Sequence, residues 1–185
     1  LMALVTVSAG VIAVRFNSLL IAILGILGGY GTPVMMSTGV ENYLGLFSYL
    51  MLLSFGVLGI AVRRQWHLLN ILAMMCTYIL YFASLRQPDH YTNAKFLHVF
   101  PFLVAFFVMF STVMFVYNLR RRVPATLIEI FALLVNAAVF FGGGYELIES
   151  RFGRDWVAAL TFGLSLFYIG HVYIFLARRL RDKAL

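Results

Sequence analysis

Charge is scarce in this chain. Asp, Glu, Lys and Arg make up 11% of its 185 residues, and Asp and Glu together number 7, against about a quarter charged in ordinary globular domains. With 63% of its residues hydrophobic, it lacks the polar groups to cover its own apolar surface, which excludes a soluble globular domain. Cysteine is nearly absent as well. Cys76 is the only one, so no internal disulfide and no cysteine-rich metal site can form, the redox compartment stays open, and packing is its expected role. Low-complexity tracts and long linkers are missing too. The longest polar connection, Arg86 to Lys95, is too short to fold by itself, and one transmembrane helical region over 1–185 is expected.

What the chain does have is apolar blocks of about twenty residues, the length a helix needs to cross roughly 30 Å of hydrocarbon. Hydropathy, punctuated by Gly, Pro and charge, predicts about seven spans, at 1–14, 18–37, 43–62, 66–85, 96–118, 124–147 and 155–177. Lipid leaves backbone N–H and C=O groups no partner but each other, and the blocks lack the alternating pattern of barrel strands, so the predicted class is all-α, a polytopic transmembrane bundle. The first block is short and opens on Leu. It reads as the remnant of a helix, and the chain as a fragment of a longer membrane protein.

A net charge of +7 could signal nucleic acid, but its distribution argues for topology, and no nucleic-acid partner is expected. Arg15, Arg63, Arg64, Arg120, Arg121, Arg122, Arg178, Arg179, Arg181 and Lys183 fall on alternate connections. The other connections hold Arg86, Lys95, Arg151 and Arg154 together with Glu41, Asp89, Glu146, Glu149 and Asp155. Basic loops stay in the cytoplasm, which predicts a cytoplasmic C-terminus. The basic clusters are also expected to touch anionic inner-leaflet lipid. Trp66 and Trp156 each open a span, one at either boundary, where an amphipathic indole is favoured. The turns at Arg63–Trp66 and Arg120–Pro124 look alike, and hint at a repeated hairpin.

The stretch from Leu24 through Gly28-Gly29-Tyr30-Gly31-Thr32-Pro33, followed by Ser37-Thr38-Gly39, Leu46-Phe47, Tyr49-Leu50 and Leu69-Asn70, resembles the DUF2339 family of predicted bacterial membrane proteins, most strongly over residues 18 to 85. Members of that family are typically several times longer. The resemblance implies a multi-pass protein of a bacterial inner membrane and no activity, so it carries no catalytic residue over to this chain.

Two groups of residues stand out as candidate sites. The first is a candidate helix break at Gly28, Gly29, Gly31 and Pro33, where three glycines and a proline weaken a helix and free its carbonyls. A kinked or early-ending helix, with Gly25 and Gly29 allowing close packing, is the simplest expectation. Gly29-Tyr30-Gly31 resembles part of a potassium-filter signature, but Leu27 and Gly28 stand where it needs Thr and Val. The second is a candidate polar layer of Glu129, His171, Asn70 and Asn136, because ionisable and amide groups inside a membrane are costly. At seven-residue spacing Glu129, Asn136 and Gly143 share one helix face, as do Asn70, Thr77 and Ser84, and both faces should point inward. Glu129 and His171 could exchange protons or bind a cation. The plainer expectation has Glu129 favoured by its helix N-terminus and reaching toward Arg120 to Arg122, with His171 hydrogen-bonded between helices.

Asp89, His90, His98 and Glu146 match no metal-ligand spacing and are expected to be solvated. Gly142-Gly143-Gly144 lacks the strand before it and the Lys-Ser or Lys-Thr after it that a phosphate loop needs, and reads as a helix end. The Phe-rich block from Phe96 to Phe115 reads as lipid-facing and packing surface. No Ser, His and acid arrangement, no His-Glu-x-x-His and no paired carboxylates are visible, so enzyme activity is not indicated and no cofactor can be named. The leading expectation is a structural or assembly subunit packing with other membrane proteins, the alternative a segment of a transporter or channel with an inner-leaflet polar layer.

Overall fold

The computed structural model describes residues 8, 10, 12, 14–35, 43–64, 66–85, 93–121 and 126–183. Among these are six α-helices, one 3₁₀ turn at Arg154–Trp156, and no strand. The helices are α1 (Leu19–Met35), α2 (Tyr43–Arg64), α3 (His67–Ser84), α4 (Asn93–Arg121), α5 (Leu127–Phe152) and α6 (Val157–Lys183). Four stretches are long and apolar enough to cross a membrane: Tyr43–Arg63, Phe96–Val113, Leu127–Phe152 and Arg154–Ile174. The apolar helices Leu19–Met35 and Leu68–Ser84 are shorter, at about 26 Å each by helical rise. Of the block 1–14, only Ser8, Gly10, Ile12 and Val14 are described, as helical. The fold is therefore that of a helical membrane protein with four full-length candidate spans among the described residues, and the expected count of seven is not reached there.

The chain forms two compact units, Leu1–His90 and Tyr91–Leu185. In the first, Asn17 adopts φ 50°, a left-handed conformation that Asn tolerates, and turns the chain into α1. Ser18 then caps α1, its hydroxyl accepting from the Ile21 N–H at 3.5 Å. Only two residues join α2 to α3, and the Trp66 N–H closes this turn on the Ala61 carbonyl at 3.2 Å. The two helices run antiparallel, with Phe47 against Tyr81 at 4.9 Å between ring centroids and Leu50, Leu58, Ala73 and Met74 buried along the seam. Helix α1 packs on both, burying Ala22, Ile26 and Tyr30.

The second unit repeats the antiparallel hairpin with α4 and α5 and adds α6 against α5. Phe107 is its aromatic hub, stacked on Phe140 at 4.3 Å and touching Phe167 at 4.9 Å. The Phe-rich helix thus turns Leu103, Phe106, Phe107 and Phe110 wholly inward, leaving residues such as Leu97 and Val108 exposed. At the α5–α6 crossing Gly144 allows contact so close that a Cβ there would meet Leu160 Cδ2 at 3.0 Å. In lipid, burying carbon gains nothing over leaving it among acyl chains, so contacts of this kind and hydrogen bonds between helices hold the bundle.

Candidate functional site

Glu129 lies in the first turn of α5 and is buried. Thr126 is the N-cap. Its hydroxyl accepts from the Glu129 N–H at 3.4 Å, while Glu129 Oε2 accepts from the Thr126 N–H at 2.9 Å. This reciprocal capping box satisfies two donors that a helix start leaves unpaired. It also sets an acidic side chain in the first turn, at the positive end of the helix dipole. Oε2 is thus turned back onto its own helix; the side chains of Arg120 to Arg122 lie outside the described residues.

Seven residues on, Asn136 is 1% exposed and reaches across to α4, its amide donating to Ser111 Oγ at 2.8 Å and to the Phe107 carbonyl at 3.1 Å. Gly143 continues the same buried face, and the run Gly142-Gly143-Gly144 lies inside α5, which goes on to Phe152, instead of ending it as expected. On α6 the His171 Nδ1 faces the Phe167 carbonyl of its own helix at 2.9 Å. A carbonyl can only accept, so Nδ1 carries the proton and in the neutral ring Nε2 is the acceptor. The imidazole is wedged between Phe115 and Phe167, at 4.7 and 4.2 Å between centroids. Glu129 and Asn136 thus serve helix capping and helix pairing, and His171 sits among aromatic rings.

In the first unit the Gly28–Pro33 run does not interrupt α1, which continues to Met35 with Pro33 inside it. Its carbonyls lie along a helix, unlike those of a filter loop. Pro33 nevertheless lacks the N–H that would bond the carbonyl of Gly29, four residues back. Tyr49 on α2 supplies the missing donor, its hydroxyl meeting the Gly29 oxygen at 2.8 Å. One turn away three hydroxyls from three helices close a buried triangle: Tyr30 to Ser54 at 2.9 Å, Tyr30 to Thr77 at 3.0 Å and Ser54 to Thr77 at 3.0 Å. Thr77 gives its proton to the Ala73 carbonyl at 2.7 Å, so it accepts within the triangle, and the two protons left, on Tyr30 and Ser54, make two of the three edges hydrogen bonds at a time. Sequence reasoning placed Thr77 on an inward face but missed Tyr30 and Ser54. Asn70, on the same face of α3, is buried, and its Oδ1 is the one buried side-chain polar atom without a hydrogen-bond partner among the described residues.

A groove of about 490 Å³ opens in this unit between α1, α2 and the segment before α1. Its walls are almost all carbon, with Arg15 and Arg63 also lining it. In the second unit Arg151 lies over Phe96 at 4.8 Å and over Phe152 at 5.0 Å, and Trp156 packs on Phe152 at 5.9 Å. Guanidinium and indole there suit a membrane–water interface. His98 and Glu146 are exposed, Asp89 and His90 lie outside the described residues, and no group of three or more His, Cys, Asp or Glu able to hold a metal ion occurs among those described.

The family model described as "Predicted membrane protein (DUF2339)" matches residues 1–185. No curated protein and no solved structure matches the chain. Together with apolar helices long enough to span a bilayer, that match over the whole chain makes this protein a member of the DUF2339 family of predicted membrane proteins.

Proposed function

We propose that this chain is a structural or assembly subunit of a bacterial inner membrane, a rigid helical scaffold that packs with other membrane proteins and has its C-terminus in the cytoplasm. One observation carries the reading: the costly polar side chains are spent on holding helices together. Glu129 caps α5, Asn136 bridges α5 to α4, and the Tyr30, Ser54 and Thr77 hydroxyls bond one another across α1, α2 and α3. A carrier needs such groups for its substrate, near the midplane and facing water. The distribution of Lys and Arg supports the orientation, and reporter fusions at the C-terminus test it.

A second reading, a transporter segment, rests on Asn70, whose buried acceptor lacks a partner and would suit a water molecule or a passing cation.

Glu129→Gln separates the two. Glutamine at that position keeps the capping box but cannot carry a proton or a charge. The scaffold reading expects no gradient-driven proton flux from the full-length parent in proteoliposomes and Glu129→Gln to match it in thermal stability, while Glu129→Ala loses about 1 kcal/mol of stability. Gradient-driven flux in the parent that disappears in Glu129→Gln, with stability intact, overturns the scaffold in favour of the carrier.

A further inference from the structure

We propose that the groove of the first unit is a binding site for one anionic phospholipid, with an acyl chain along α2 and the headgroup phosphate between Arg15 and Arg63. The inference is independent of the scaffold reading.

The shape comes first. Along α2 the lining runs from Tyr49 to Arg63, and fourteen residues at 1.5 Å each make about 21 Å, more than one leaflet of a hydrocarbon core roughly 30 Å thick. Two glycines, Gly25 on α1 and Gly56 on α2, both line the groove. A Cβ placed on Gly56 would meet nothing within 4 Å. Leu52, another lining residue, is 69% exposed, so the groove is open on its flank, as entry from the bilayer requires. Its volume falls within the range of small-molecule sites, about 300–1,000 Å³.

Chemistry then selects the occupant. Carbon walls admit an acyl chain and give a polar solute nothing to bond. Tyr49, the one uncharged polar side chain on the lining, has its hydroxyl committed to the Gly29 carbonyl. Among the described residues, charge enters the lining only through Arg15, on the segment before α1, and Arg63, at the last turn of α2. Both guanidiniums are exposed, so they cost nothing to keep charged. Fork-shaped donors of this kind pair bidentately with phosphate oxygens, and basic pockets between membrane helices hold anionic headgroups. Arg15 and Arg63 also belong to the connections rich in Lys and Arg, which face the leaflet where anionic lipid is presented.

The test is native mass spectrometry of the full-length protein, with phosphatidylglycerol and phosphatidylcholine of equal chain length as probes. We expect the parent to retain one phosphatidylglycerol in preference to phosphatidylcholine. Removing both charges with Arg15→Gln and Arg63→Gln should weaken phosphatidylglycerol retention by about thirtyfold, taking two well-placed charges at the usual strength of such contacts. Gly56→Phe, whose Cβ meets no neighbour within 4 Å, adds a ring at the groove wall and should lower retention of both lipids. Arg178→Gln with Arg179→Gln, in a different basic cluster, should change nothing. Equal retention of the two lipids by the parent overturns the site. So does unchanged retention in the Arg15→Gln, Arg63→Gln variant, or an equal loss in the Arg178→Gln, Arg179→Gln control, which would reduce the effect to diffuse surface charge. Displacement of the lipid by inorganic phosphate alone would overturn the acyl-chain part and leave an anion site.

Discussion

Tyr49→Phe, made with and without Pro33→Ala, tests the joint between α1 and α2 most directly. Pro33 takes away the N–H that would bond the Gly29 carbonyl, and Tyr49 returns a donor at 2.8 Å. An ordinary hydrogen bond between membrane helices contributes about 0.6 kcal/mol and at most about 1.7. This one belongs near the upper end, because phenylalanine leaves a buried carbonyl without its replacement donor, a loss of about 1–3 kcal/mol in protein mutational data. We expect Tyr49→Phe to cost about 1.5 kcal/mol in the parent. With Ala at position 33 a backbone N–H is available to Gly29 again, and the same substitution should cost about 0.5 kcal/mol or less. The assay is unfolding of the purified full-length protein by sodium dodecyl sulfate in mixed micelles, as a four-member cycle. Equal costs in the two backgrounds would refute the claim that Tyr49 compensates for the proline.

Other joints give further expectations. Asn136→Leu keeps the number of side-chain heavy atoms but removes both bonds to α4, and should cost about 1–2 kcal/mol; a cycle with Ser111→Ala should show coupling of about 0.6 kcal/mol or more, and no coupling would mean the 2.8 Å contact is idle. Gly153 ends α5 at φ 87°, ψ 171°, a region open almost only to glycine, so Gly153→Ala should lose about 1–3 kcal/mol in the same unfolding assay; an unchanged midpoint would show that the α5–α6 turn relaxes freely. Gly144→Val drives carbon into Leu160 and should cost about 1–3 kcal/mol. Adding Leu160→Ala should recover part of that loss, and if it deepens the loss instead, the crossing is not where α5 and α6 meet.

How much of this was legible in the sequence depends on which atoms carry each contact. Apolar blocks bounded by charge give the helices directly, since lipid leaves the backbone few alternatives. Helix α1 runs through its glycines because each keeps its N–H; only the proline at its C-terminal end withholds one. That the Gly29 carbonyl would be left open follows from position 33 alone, by counting four residues back. The donor that closes it, Tyr49, lies 20 residues away on another helix, and no local pattern names it. The same limit hid the hydroxyl triangle, whose members are 23 to 47 residues apart, and the grip of Asn136 on the Phe107 carbonyl, since a backbone acceptor leaves no mark in side-chain spacing. Glu129 is the opposite case. Thr126-x-x-Glu129 is a readable capping signature, yet an acid five residues inside an apolar block draws the eye first as an intramembrane charge. A carboxylate in the first turn of a membrane helix therefore has to be tested against the cap before it is counted as a proton site, and here the cap accounts for its Oε2.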